Sequence, residues 1–122
     1  MNAARPLLLV AGLAATTTAC ATTPPAPTTT VRGQYVYMDG SHVLRPCGNA
    51  TALWVVGDED ALEPLRTRST AKSMAVGLPN QGVYAEVSGV LEPSDAVGYP
   101  QKLRATAADR LSDTLPETCA AG

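Results

Sequence analysis

Three short alternating segments, then one helical stretch, then two more alternating segments predict an all-β fold with one helix. That order matches a five-stranded OB-type barrel with its helix between strands 3 and 4. Chain length agrees: past a proline- and threonine-rich stretch, residues 31–122 leave roughly ninety residues, enough for one small core. Two of the three cysteines, Cys47 and Cys119, bracket most of that domain. The third, Cys20, closes an apolar leader.

Residues 1–19 have the layout of a secretory signal, with Arg5 as the positive end, residues 7–15 as the apolar run and Thr17-Thr18-Ala19 before the cut. The apolar run is shorter than the roughly 20 residues a bilayer-spanning helix needs. Cys20 stands where bacterial lipoprotein precursors carry their acylated cysteine, and Thr17-Thr18-Ala19-Cys20 resembles a lipobox with threonine where leucine is usual. Diacylglycerol plus an N-acyl chain (palmitate among them) exceeds the two-signal minimum for stable attachment to a membrane. The competing reading is an ordinary cleaved signal with a cysteine close by. A lone thiol at the start of an exported chain is a liability, which favours lipidation. Ala21 follows Cys20 in place of the aspartate that retains many lipoproteins in the inner membrane. The expected address is therefore the outer membrane facing the periplasm, with the inner membrane or the cell surface as alternatives.

Residues 20–30 form the anchor and tether. ATTPPAPTTT has no charge and no large apolar side chain, so nothing offsets the entropy of ordering it. Its prolines favour an extended, semi-rigid spacer.

Residues 32–38 alternate and are rich in strand formers, Asp39-Gly40-Ser41 supplies turn chemistry, and residues 42–45 return as a second strand stopped by Pro46. Cys47-Gly48-Asn49-Ala50 makes a tight turn into a third strand at 51–56. Asp58 or Asp60 can cap a helix whose pattern runs over 61–75, with Leu62, Leu65, Ser69 and Lys72 at helical spacing. Pro64 must lie in a first turn or divide the helix into two pieces, and Gly77 is a terminator. Arg66, Arg68 and Lys72 fall in its later turns. Residues 83–91 form a fourth strand, with Val83, Ala85, Val87 and Leu91 inward and Glu86 and Ser88 outward. Residues 92–100 are a loop, residues 102–106 a fifth strand, and residues 109–112 a short edge segment. Phenylalanine is absent, so the aromatic share of the core falls to Trp54 and to Tyr35, Tyr37, Tyr84 and Tyr99.

The chain carries 9 basic and 11 acidic side chains, and the leader takes Arg5 with it. An acidic exported domain lacks the basic footprint of a nucleic-acid binder. Enzyme chemistry has little to stand on: there is one histidine, His42, no Gly-x-Ser-x-Gly, and an Asp58-Glu59-Asp60 run that suits a solvated helix start. No cofactor is implied. OB barrels bind on the face of strands two and three, which singles out His42, Arg45, Thr51 and Trp54 as a ligand face. Trp54 is also a candidate core residue. In an oxidising compartment Cys47 and Cys119 read as a structural disulfide. Redox sensing is a second reading of them. Copper(I) binding through Met38, His42 and Cys47 is a third, and it lacks a paired-cysteine motif.

Residues 32–38 (Arg-Gly-Gln-Tyr-Val-Tyr-Met), the Cys47-Gly48-Asn49-Ala50-Thr51 turn and the closing Glu117-Thr118-Cys119 are together similar to the C-terminal OB-like domain of NlpE-type copper-homeostasis and envelope-stress lipoproteins. The resemblance covers most of residues 31–122 and includes the leader. It implies an OB barrel, a Cys47–Cys119 disulfide and a link to adhesion or redox-stress signalling. Those lipoproteins also carry an N-terminal Cys-x-x-Cys domain. Here the tether leads straight into the OB-like domain, so copper relay and kinase contact do not carry over. The expected function is an envelope-anchored binding or sensing module with an envelope protein as partner. The alternatives are a purely structural accessory lipoprotein and a weak copper binder.

Overall fold

The computed structural model describes residues 26–49 and 51–119. The signal, Cys20, the tether up to residue 25 and residues 120–122 lie outside the described residues.

β1 (Thr29–Met38), β2 (Ser41–Pro46) and β3 (Leu53–Gly57) form an antiparallel meander. α1 (Glu59–Val76), β4 (Val83–Pro93), β5 (Gln101–Ser112) and one 3₁₀ turn (Glu117–Cys119) follow. The strands close into a barrel in the order β1-β2-β3-β5-β4, with the helix between β3 and β4, as the OB-type expectation requires. The β3–β5 pair that completes the barrel is parallel and the other pairs are antiparallel. Met38 pairs with Ser41 across a two-residue turn in which Asp39 and Gly40 both take positive φ, 48° and 83°. That is the type I′ geometry whose twist matches a hairpin.

β1 begins three residues earlier than the sequence reading placed it. Thr29 and Thr30 pair with Gly89 and Ser88, and the Thr30 and Ser88 hydroxyls are 2.8 Å apart. The ladder with β4 supplies what these threonines lack as isolated strand formers. At the other end of the domain, the expected strand at 102–106 and edge segment at 109–112 are one strand. β5 carries two bulges opposite β4, between Ser88 and Gly89 and between Tyr84 and Glu86, and Arg110 takes φ 55°. Each bulge inserts a residue that breaks the alternation while the ladder continues. Gly89 sits at the first of them, where a β-carbon would collide with the Arg104 carbonyl.

α1 runs unbroken through Pro64. The ring removes one amide donor in the second turn, and Asp60 and Pro64 are both exposed, so solvent reaches the carbonyl left free. Asp58 occupies the N-cap position in an extended conformation without a side-chain capping bond, and Gly77 closes the helix at φ 80°. Of the cations expected near the helix end, Arg66 pairs within the helix with Glu59 at 2.6 Å, while Arg68 fastens the helix to Asp113 at 2.7 Å. Lys72 donates to the carbonyls of Gly82 and Asp113.

The core packs Leu44, Leu53, Val55, Val83, Ala85, Val87, Leu103 and Ala105 from the barrel against Ala61, Leu62 and Leu65 of α1. Tyr35 is the one fully buried aromatic among them, and Tyr37 packs at the margin. Tyr84 is buried outside this cluster, on the other side of β4, whereas Trp54 and Tyr99 are only partly buried, contrary to the sequence expectation, because their positions face away from the barrel axis. Leu91 shares the inward parity of Val87 but sits beyond the packed interior at the strand end, 39% exposed. Where β1 runs past its last β4 partner, the buried Ser69 takes over: its hydroxyl accepts from the Tyr37 amide at 3.1 Å and donates to the Gln81 carbonyl at 2.7 Å.

Candidate functional site

Cys47 follows β2, its amide donating to the Arg32 carbonyl at 2.9 Å, and Cys119 ends the 3₁₀ turn. The two are joined as a disulfide across 72 residues of sequence, with their Cα atoms 4.5 Å apart. Cys119 is buried. The segment after β5 is also held by Arg68 and Lys72 at Asp113 and by the Arg32 guanidinium donating to the Thr118 hydroxyl at 3.0 Å. The tail is thus fastened to the helix at its start and covalently to the β2–β3 turn at its end. With both sulfurs bonded to each other, Cys47 is not a free metal ligand.

The four residues expected to form one ligand face are divided among three places. In β2 the side chains alternate, so His42 and Leu44 point inward while Val43 and Arg45 point outward. His42 lies under the start of α1. Its Nδ1 shares a 2.6 Å hydrogen bond with the Tyr35 hydroxyl, and its ring centre is 5.2 Å from that of Tyr37. Burial, reinforced by the Arg66 guanidinium and opposed by Glu59, holds its pKa below the ordinary imidazole value. Burial likewise pushes the Tyr35 phenol well above its ordinary value. Thr51 is at the opposite end of the barrel, its amide donating to Asn49 Oδ1 at 2.9 Å beside a shallow depression of about 330 Å³. Only Arg45 and Trp54 share the outer surface. The copper grouping fails for the same reason of parity: Met38 faces outward and His42 inward on adjoining rungs of one hairpin. Among the described residues no three His, Cys, Asp or Glu side chains come together to hold a metal ion.

What the structure does assemble is a row of outward residues in lateral register across four strand pairings. Val36 pairs with Val43, Val43 with Trp54, Trp54 with Lys102 and Lys102 with Glu92. Tyr99, from the β4–β5 loop, places its ring 5.2 Å from that of Trp54 at an angle of 51°. That loop is closed by Ser94 and Tyr99 amides donating to the Pro100 and Ala96 carbonyls, and by the Ala96 amide donating to the Ser94 hydroxyl. Arg104 donates from Nε and Nη2 to Glu92, and Lys102 stands 3.9 Å from the same carboxylate. The Arg104 hydrogen bonds hold the Glu92 carboxyl below the usual carboxylate range. The sequence reading identified Trp54 and missed the others. Alternation places Lys102 and Arg104 on one face, but their meeting with Glu92 depends on the hairpin register that the 94–100 loop sets between β4 and β5.

The closed five-stranded barrel with a helix between β3 and β4 defines an OB-type domain, here with a disulfide-tied tail. Among solved structures it is similar to the crystal structure of the Cpx pathway activator NlpE from Escherichia coli, with a TM-score of 0.56 and 18% sequence identity. The match covers 89% of this chain and 52% of that one, so the chain spans about half the length of its structural neighbour. At this identity the likeness is one of fold, and it agrees with the resemblance read from the strand and cysteine motifs. No family model matches the sequence, and no curated protein matches it.

Proposed function

We propose that this chain is an envelope-anchored periplasmic lipoprotein whose OB-type barrel is a small binding and sensing module linked to envelope or redox stress. The observation that carries the reading is the clasp: a disulfide of the kind an oxidising compartment maintains ties the buried Cys119 to the β2–β3 turn. The leader, Cys20 and the proline-threonine tether support anchoring, with the outer membrane as the address and an envelope protein as partner. The likeness in fold to a Cpx pathway activator supports the stress link. No catalytic role is assigned, because the outer row offers aromatic and ionic contacts without a nucleophile beside a base.

Two measurements test this. Labelled palmitate should enter the wild-type protein and not the Cys20→Ala variant; equal labelling, or none in either, removes the anchor. An envelope-stress reporter should respond to gene deletion or to the Cys47→Ala/Cys119→Ala double variant. A reporter unmoved by both leaves the purely structural accessory role.

A further inference from the structure

We infer that the outer row centred on Trp54 and Tyr99 is a binding strip for an oligosaccharide. The inference rests on reading the barrel as a binding module and names its ligand class. Trp54 lies in the middle of the strip. On one side Val43 faces outward but is already buried at 7% exposure, leaving the half-buried Val36 beyond it as the apolar neighbour on the surface. On the other side stand Lys102, Glu92 and Arg104. The strip therefore joins an apolar part, the rings of Trp54 and Tyr99 with Val36, to a part that carries fixed ionic donors and one acceptor.

That division matches a pyranose. Its C–H face is apolar and stacks on an aromatic ring, while its equatorial hydroxyls at the rim both donate and accept. Glu92 is kept ionised by Arg104 and accepts from a hydroxyl. Lys102, with only a 3.9 Å contact to that carboxylate, retains donors to offer. Tyr99 is held by the bonded loop, so its ring is already in place and little ordering remains to oppose binding. The location agrees with how this barrel class works, since the face of strands two and three and the loop between strands four and five are where OB barrels take extended polymers.

Other ligand classes fit less well. The described strands close on one another, so an extended peptide finds no strand edge to pair with. The sequence pI of about 5.2 argues against a nucleic acid strand. A proline-rich peptide needs a groove between aromatic ridges, and here the two rings stand 5.2 Å apart, packed on each other with no groove between them.

Trp54 is the sole tryptophan, so its emission reports directly on the strip. The full-length protein, in a detergent without a sugar headgroup, is titrated with cellotetraose, chitotetraose and a proline-rich decapeptide. A saturable change in Trp54 emission with a tetrasaccharide is expected. Tyr99→Ala should weaken it at least tenfold, Tyr99→Phe should retain it, and Arg104→Gln, which leaves both rings, should weaken it several-fold. Unchanged circular dichroism shows that each variant is folded. No response to either sugar, a response that Tyr99→Ala and Arg104→Gln leave intact, or a response to the decapeptide alone overturns the inference. The stress reporter is read separately, so a failure here with a responding reporter rejects the sugar ligand and leaves the sensing role standing.

Discussion

Removing the clasp should cost this domain a large part of its stability, and the structure gives the size. Cys47 and Cys119 are 72 residues apart. By the chain-entropy relation, cross-linking a loop of that length removes about 4 kcal/mol of freedom from the unfolded chain. Small domains are stable by about 5–15 kcal/mol in total. The noncovalent tail contacts are poor substitutes. Arg68 and Asp113 form an exposed ion pair, worth about 0–1 kcal/mol, and the Arg32–Thr118 hydrogen bond is also exposed. At about 4–8 °C per kcal/mol for a domain of this size, the Cys47→Ala/Cys119→Ala variant should melt roughly 15–30 °C below the oxidised protein. Alanine is preferred to serine because Cys119 is buried and a hydroxyl there would need a partner. Thermal unfolding by circular dichroism measures the shift, with dithiothreitol-reduced wild type expected to follow the double variant and Thr118→Ala to remain within a few degrees of wild type. A shift under about 5 °C, or a Thr118→Ala variant as damaged as the disulfide mutant, would refute the reasoning. In the second case the tail would be held by contacts and not by covalent constraint.

Ser69→Ala should destabilise by about 1–3 kcal/mol, because it strips the Tyr37 amide and the Gln81 carbonyl of their partner at a buried position; a urea midpoint giving under about 0.5 kcal/mol would show that these groups find other partners. His42 predicts an acid-side loss of stability. Burial lowers its folded-state pKa below the ordinary imidazole value, so its contribution is fully present above about pH 6.5 and declines as pH falls from there through the folded-state pKa, where the unfolded chain binds the proton first. His42→Gln should flatten the dependence of denaturant midpoint on pH between 7 and 5, and an unchanged slope would remove His42 as its source. Tyr35, raised by burial, gives the opposite limb. Its contribution is present below about pH 10 and is lost as pH rises beyond that, so Tyr35→Phe should improve relative stability at alkaline pH.

How much was legible in the sequence follows from how local each determinant is. The first three strands, the helix and β4 are written in short-range patterns: alternation at residues 32–38 and 83–89, the Asp39-Gly40 turn and the leucine spacing of α1. The continuity of β5 is not local. Its bulges hide the alternation, and only pairing with β4 shows that residues 101–112 form one strand. The parallel closure of β3 on β5 has no sequence signal of its own. Of the four residues read as one face, the strand parity was only half legible. Arg45 and Trp54 stand on the surface the OB comparison points to. His42 was misplaced because neighbouring positions in a strand face opposite ways, and that parity decides between pocket and surface. Tyr99 was beyond reach, because what brings it to Trp54 is the shape of a seven-residue loop.

The clasp and the aromatic strip are connected by a shared cost. With phenylalanine absent and Trp54 on the outside, the interior has one fully buried aromatic, Tyr35, among leucines, valines and alanines. A buried aromatic contributes about 150–250 Å² of apolar surface, so leaving Trp54 and Tyr99 only partly buried gives up part of the largest burials the composition offers. An indole left half-exposed on a strand, beside a valine that it and its neighbours cover, is a poor choice for stability alone. The proposed binding strip supplies a reason for that choice, and the 72-residue cross-link offsets what the core lacks. The two features therefore belong together: covalent constraint supports a lean barrel, and the lean barrel keeps Trp54 and Tyr99 on its outer side, where the proposed ligand would meet them.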